Sequence, residues 1–340
     1  MGEQNMLSKT TLIAKIIQCP SVLCAKVILL AATLCLVSNP ALAGSCTKTS
    51  WAAFVACNNE ARDDYWIARG NCYNLSDLEA RAECFKDALS EFRDVLKECN
   101  DQREARLEVC EDIGEASYDP EIDPDDFVDP TTITNANANP YFPLVPGYQW
   151  IYTGETDEGI ETINVMVTGE TKEIEYPPDS GKMFQCAVVR DVVTLDEEVI
   201  EDTDDWYAQD DDGNVWYFGE ISLEFEDGEL VGIEGSWKAG VDYAKPGIIM
   251  WANPEVGEVY RQEFALGEAE DMGKVISLTA SATLQDDLFS CSGNCWQTAD
   301  YTPIEPDVLE YKFYKPDTGL ILEVDPETGD RVELISFTMP

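Results

Sequence analysis

The chain of 340 residues contains no histidine. That absence removes Ser-His-Asp and Cys-His nucleophile systems, histidine-ligated zinc and copper sites, and the histidine axial ligand of a c-type haem. No C-x-x-C-H run is present, so haem attachment is excluded as well. Basic residues are scarce. Lys and Arg number 22 against 67 Asp and Glu, a net charge of −45, and such a balance repels nucleic acid and anionic lipid. No nucleic-acid partner is expected. Long apolar runs are also missing: the most apolar, Val27 to Val37, has 11 residues, short of the roughly 20 that cross a bilayer as a helix. No membrane span is expected.

That run follows Lys9, Lys15 and Lys26 and precedes Ser38-Asn-Pro-Ala-Leu-Ala43. A positive region, an apolar core and small residues at cleavage spacing predict a signal peptide over residues 1–43, with the exported chain starting near Gly44. The segment holds three lysines and one glutamate, so its removal takes the net charge from −45 to −47. Ala43-Gly-Ser-Cys46 lacks the large aliphatic residue usual three places before a lipidated cysteine. With 44% apolar residues and eight tryptophans the chain can build real cores, and about 300 residues suggest two domains.

Residues 44–117 are cysteine-rich and helix-patterned, dominated by Glu, Arg, Ala and Leu. Their cysteines, Cys46, Cys57, Cys72, Cys84, Cys99 and Cys110, are spaced 11, 15, 12, 15 and 11 apart. The series is a palindrome, and facing residues of an antiparallel helical hairpin have numbers of constant sum, here 156. Nested bridges Cys46–Cys110, Cys57–Cys99 and Cys72–Cys84 follow, one of 15 possible pairings. Spacings of 11 and 15 are close to whole helical turns, which keeps the cysteines near one stripe. One detail strains the symmetry. Gly70-Asn71 reads as a helix stop and Ser76-Asp-Leu-Glu79 as a capping box, so either the first helix runs through Gly70 or the hairpin is staggered. Bridged cysteines imply an oxidising compartment, and no C-x2-C spacing points to a thiolate metal site.

Residues 118–140 form a Pro- and Asp/Asn-rich linker that cannot continue a helix. From residue 141 to 340 short β-branched and aromatic runs alternate with turn signals. Asp212-Gly213 and Asp227-Gly228 mark hairpins, and runs 309–314, 320–324 and 332–337 repeat the device. The expected class is therefore α+β, a disulfide-stapled antiparallel helical hairpin followed by an antiparallel β-meander, as a curved sheet or partly closed barrel.

Three stretches carry a resemblance. Asn139-Pro-Tyr-Phe-Pro-Leu-Val-Pro-Gly-Tyr-Gln-Trp-Ile-Tyr152, Trp206-Tyr-Ala-Gln-Asp-Asp-Asp-Gly-Asn-Val-Trp-Tyr-Phe-Gly-Glu220 and Lys245-Pro-Gly-Ile-Ile-Met250 resemble exported bacterial proteins with a Cys-rich helical segment, a following β domain and no assigned activity. The resemblance covers roughly residues 139–340 and implies export and domain order, but no catalytic residue.

Candidate sites are few. Cys186, Cys291 and Cys295 are an odd set; a long-range bridge from Cys186 to one of the other two, Cys295 or Cys291, is expected over a small Cys291–Cys295 loop, because a larger loop removes more unfolded-state freedom, and the remaining thiol, Cys291 if Cys295 pairs, is a handle for covalent assembly. Asp210, Asp212 and Asn214 offer alternating oxygen ligands for calcium, although Val215 stands where an EF-hand loop needs glycine. Apart from that ion no cofactor is expected. Asp202-Thr-Asp-Asp205 and Glu268-Ala-Glu-Asp271 read as solvated edges. Acids and tryptophans also allow a carboxylate-based hydrolase, but nothing selects a pair. The leading expectation is a non-enzymatic structural or interaction protein of the bacterial envelope or extracellular space, with protein partners or its own copies. The alternative is a periplasmic carrier of an apolar ligand. A packed concave face favours the first and an open pocket the second.

Overall fold

The computed structural model describes residues 44–156, 159–285 and 287–339. The signal peptide expected over residues 1–43 lies outside them. Two proline-free helices come first, α1 (Ser45–Tyr73) and α2 (Leu78–Ile113). α1 runs through Gly70, one of the two expected outcomes. The Asp77 carboxylate accepts the Ala80 N–H at 2.8 Å and caps α2, one residue later than Ser76.

The helices bury small side chains against each other, Ala53, Ala61 and Ala88 among them, with Cys72 and Cys99 fully enclosed. So little apolar area stabilises a hairpin weakly. Disulfides supply the difference, at about 2–4 kcal/mol each. Cys46–Cys110, Cys57–Cys99 and Cys72–Cys84 bridge facing positions with Cα separations of 5.6, 5.8 and 5.6 Å, as the constant sum requires.

The Pro- and Asp-rich segment that follows is packed. Two 3-10 turns, Pro124–Asp126 and Pro130–Thr132, shape it. Val128 N–H donates to the Gln209 carbonyl at 2.9 Å, and the Phe127 ring lies 5.1 Å from Phe184 and 6.0 Å from Phe218. Its proline stops helix formation, while its few apolar side chains cover part of the sheet's outer face.

Then come β1 (Gln149–Glu155), β2 (Ile160–Glu175), β3 (Met183–Leu195), β4 (Glu198–Gln209) and β5 (Val215–Glu226). Shorter pieces follow: β6 (Glu229–Gly232), β7 (Trp237–Lys238), β8 (Lys245–Met250), β9 (Val259–Arg261) and β10 (Glu263–Phe264). The last are β11 (Met272–Ala282), β12 (Cys291–Tyr301), β13 (Leu309–Lys315), β14 (Gly319–Val324) and β15 (Arg331–Thr338). The expected turns fall where Asp-Gly pairs stand; Asp227 and Gly228 both have positive φ, 50° and 78°, which suits a tight two-residue hairpin.

All strands pair antiparallel in one 15-stranded sheet, and its two ends are β10 and β9. Only Gln262 separates these two in sequence. One short stretch thus pairs with β11 through its first half and with β8 through its second, and the sheet becomes a nearly closed barrel without long free edges. The crossing is tight: a Cβ on Gly247 would stand 2.3 Å from the Gln262 carbonyl oxygen, so glycine is required there. On the far side the first and last strands pair, with Trp150 opposite Phe337.

Alternation divides the apolar residues between two faces. Phe184, Phe218 and Cys186 belong to the outer core beneath Phe127. Trp150, Tyr152, Tyr207 and Tyr217 point into the lumen.

Candidate functional site

The lumen is not filled. A cavity of about 290 Å³ lies inside it. Strands β1, β2 and β3 supply Trp150, Val165, Val167 and Val189, and the segment Tyr141–Leu144 enters to form another wall. Leu144 is 1% exposed. The Asn139 side chain turns this segment, its Oδ1 accepting the Tyr141 and Phe142 N–H groups at 2.8 and 3.2 Å, and the aromatics hold it: Tyr141 stacks on Trp296 at 3.6 Å between ring centres, and Phe142 meets Tyr207 edge-on at 5.0 Å. Polar tips at this end are taken up by backbone. Trp150 Nε1 donates to the Thr318 carbonyl at 2.6 Å and Tyr152 Oη to Leu320 at 3.1 Å. This end of the cavity is therefore apolar.

The other end is acidic. Asp191, Asp205, Asp300 and Glu323 reach the cavity with Asp271 exposed at its edge, and Lys312 is the only cation lining it. A second chamber of about 320 Å³ shares Gln262, Asp271, Asp300 and Lys312 with the first and adds Glu220, Glu263 and Glu310. Lys312 Nζ lies 3.2 Å from Glu310, 3.3 Å from Glu323 and 3.8 Å from Asp300. Burial alone lowers this ammonium, but Glu323, Asp300 and Glu310 outweigh it and hold it well above its ordinary range.

One ammonium cannot offset so many carboxylates in a low-dielectric lumen. Burial, reinforced by Asp205, Glu201 and other acids, pushes Asp191 up to about 8. Burial followed by the Asp205 charge takes Glu220 to about 8. Asp205 rises to about 6 through burial, restrained by hydrogen bonds from Tyr217 and Tyr207. Burial and neighbouring acids raise Glu263 well above the carboxylate range.

A proton can be located more closely. Tyr217 Oη is 2.6 Å from Asp205 Oδ1 and 2.8 Å from Glu220 Oε2. A phenol donates only one hydrogen, so both contacts are hydrogen bonds only when one carboxyl is protonated and donates to the phenolic oxygen. Burial raises both Asp205 and Glu220, so the pair shares that proton. Two acceptors remain open: Asp300 is 7% exposed and Gln262 Nε2 reaches its Oδ2 at 3.0 Å, yet its Oδ1 has no partner, and neither has Asp191 Oδ1.

The residues singled out in the sequence lie elsewhere. Asp210 accepts from Asn214 N and Nδ2 at 2.8 Å each and from Trp216 Nε1 at 2.9 Å, while Asn214 Oδ1 accepts from Ala252 N at 2.9 Å. These oxygens close the β4–β5 turn, Asp212 stands exposed on it, and no three His, Cys, Asp or Glu side chains converge as a metal group among the described residues.

The Cys186–Cys295 bridge is corrected. Cys291 pairs with Cys295, at a Cα separation of 6.1 Å, and the free cysteine among the described residues is Cys186. Four extended residues span about 13 Å; here β12 bulges, with Cys291 and Cys295 opposite Ala282 and Ala280 and Gly293 at positive φ, which brings the pair together. Cys186 is fully buried, and burial pushes its thiol up, so it offers no handle for covalent assembly. Asp205 and Glu270 are corrected too: both belong to segments read as solvated edges, and they are 8% and 2% exposed.

Sequence reasoning missed the lumen acids. One signal was present, since Asp205 shares its strand face with Tyr207 and Gln209, an inward face by alternation. Four disulfides fit an oxidising compartment, and no helix of the described residues is long and apolar enough to cross a membrane. The chain matches no protein-family model, no curated protein and no solved structure.

Proposed function

We propose that this protein is a carrier of the cell envelope or exterior that takes a small amphiphile, apolar along its body and cationic at its head, into the barrel lumen. The observation that carries this is the cavity of about 290 Å³, apolar at one end and sharing Asp271, Asp300 and Lys312 with an adjoining acidic chamber, where Lys312 is the only cation among the described residues. Its size is near the lower end of ligand pockets, about 300–1,000 Å³. An apolar body gains by leaving water beside Val165, Val167 and Leu144. A cationic head restores the charge that Asp191 and Glu220 give up when the site is empty, and the partnerless oxygens of Asp300 and Asp191 accept its hydrogens. The open pocket favours this reading over a purely structural one.

Three ligands with the same decyl chain test it: decylammonium, decanol and decanoate. Calorimetry is expected to rank decylammonium first and decanoate last. Equal affinity, or preference for decanoate, contradicts the charge assignment.

An interaction role for the hairpin is a second reading. Trp66, Tyr73 and Leu78 stand 65%, 62% and 75% exposed near its tip, more apolar surface than a stapled hairpin alone explains.

A further inference from the structure

Between the base of the helical hairpin and the barrel rim lies another cavity, of about 220 Å³, which shares no lining residue with the lumen. Its lining includes Arg106, Lys245 and Arg261 and a single acid, Glu270. Elsewhere acids outnumber bases about three to one, so the reversal is local.

Two of the three cations are already paired. Arg106 holds Glu270 through Nε at 2.9 Å and Nη2 at 2.7 Å, and Gly267 N–H donates to the same carboxylate at 2.8 Å. Lys245 contacts Asp119. Arg261 is different. Its side chain has no ion pair among the described residues although it is 9% exposed. Its Nε has no partner, and Nη1 faces only the Met272 sulfur at 3.7 Å.

Phe264 and Tyr118 cover the guanidinium, at 4.5 and 5.6 Å from its carbon to the ring centres. Aromatic contact offsets part of the desolvation, but it acts on the planar faces. On the N–H edge, whose donors are spaced for two oxygens of a carboxylate or phosphate, Nε is left without a partner, and Glu270 acts on the guanidinium only through space. Burying a charge in that condition is unfavourable unless a counter-charge joins it. Beside it, Ser45, Cys46 and Thr49 from the first turn of α1 line the same cavity, but the positive end of that helix is already met by Glu115, whose carboxylate accepts the Thr47 N–H at 3.1 Å, so Arg261 is the group left to hold an anion.

We propose that this cavity binds a small oxyanion, a carboxylate or a phosphate, on the guanidinium of Arg261, with the Lys245 ammonium beside it. This inference is independent of the ligand in the lumen.

The test is calorimetric titration of the disulfide-bonded chain with inorganic phosphate, sulfate and acetate, in chloride at constant ionic strength. The expected result is one saturable site per chain for at least one probe. Arg261→Gln weakens it about tenfold or more and Lys245→Gln about threefold, since a charge-assisted bidentate pair is lost in the first and a point charge in the second. Arg190→Gln, whose side chain pairs with Asp202, leaves it unchanged. No saturable binding of any probe overturns the proposal, and so does binding that survives both substitutions. Should Arg261→Gln fail to fold, the unsubstituted chain and Lys245→Gln decide the matter by themselves. Preference for phosphate and sulfate over acetate, or the reverse, tells which oxyanion the site is shaped for.

Discussion

Arg106 on α2 and Glu270, in the loop before β11, lie 164 residues apart in sequence and form a bidentate pair, at 2.7 and 2.9 Å, with both side chains buried. The pair fixes the hairpin on the barrel. It is also a liability, because removing either partner strands the other charge out of water. Glu270→Gln or Arg106→Gln is expected to cost about 3–5 kcal/mol in chemical denaturation. The double change Arg106→Met with Glu270→Leu should recover most of that loss, and a double mutant as unstable as the singles would argue against the pairing.

Cysteine reactivity follows from the bridges and from burial. Peptide mapping without reduction is expected to recover Cys46–Cys110, Cys57–Cys99, Cys72–Cys84 and Cys291–Cys295. Cys186 should resist iodoacetamide in the native protein and react once denaturant is added. A bridge between cysteines of one helix, or rapid native labelling of Cys186, contradicts the fold.

The lumen acids give stability a particular pH dependence. Asp191 and Glu220 each titrate near 8 in the folded protein, while in the unfolded chain they titrate near 4. Between those values the folded state holds protons that the unfolded state has released. Stability contributed by these groups is complete below about pH 4, falls as the pH rises, and levels off above about 8, at up to about 1.4 kcal/mol per pH unit for each group. Urea midpoints measured across this range should fall, and Asp191→Asn should flatten the decline. If the substitution leaves the slope unchanged, Asp191 does not carry a buried proton.

How much of this was legible in the sequence depended on whether the relevant contacts were local. The nested bridges could be read because helix geometry ties residue number to position, so the sum of 156 carries three-dimensional information. Asp227-Gly228 could be read because its backbone conformation is set by two residues. The Cys291–Cys295 bridge was misread because an argument from loop size ignores geometry; the bulge at Gly293 makes the short loop possible. The acidic lumen brings together Asp191, Asp205, Asp300 and Lys312 from four strands, and among 67 acids no local pattern marks those that barrel closure turns inward. Closure itself depends on Gln262 lying between two short strands that no periodicity announces.

On the proposed reading, the lumen holds a cation against carboxylates that are partly protonated when it is empty. Calorimetric titration with decylammonium from about pH 5 to about pH 9, in two buffers of different ionisation enthalpy, tests this directly, because an alkylammonium resembles lysine and stays charged throughout. The account predicts affinity that rises with pH and proton release on binding between about pH 6 and 8, both diminished in the Asp191→Asn, Glu220→Gln double variant. Binding with no proton release and no pH dependence, or undiminished in that variant, would contradict it.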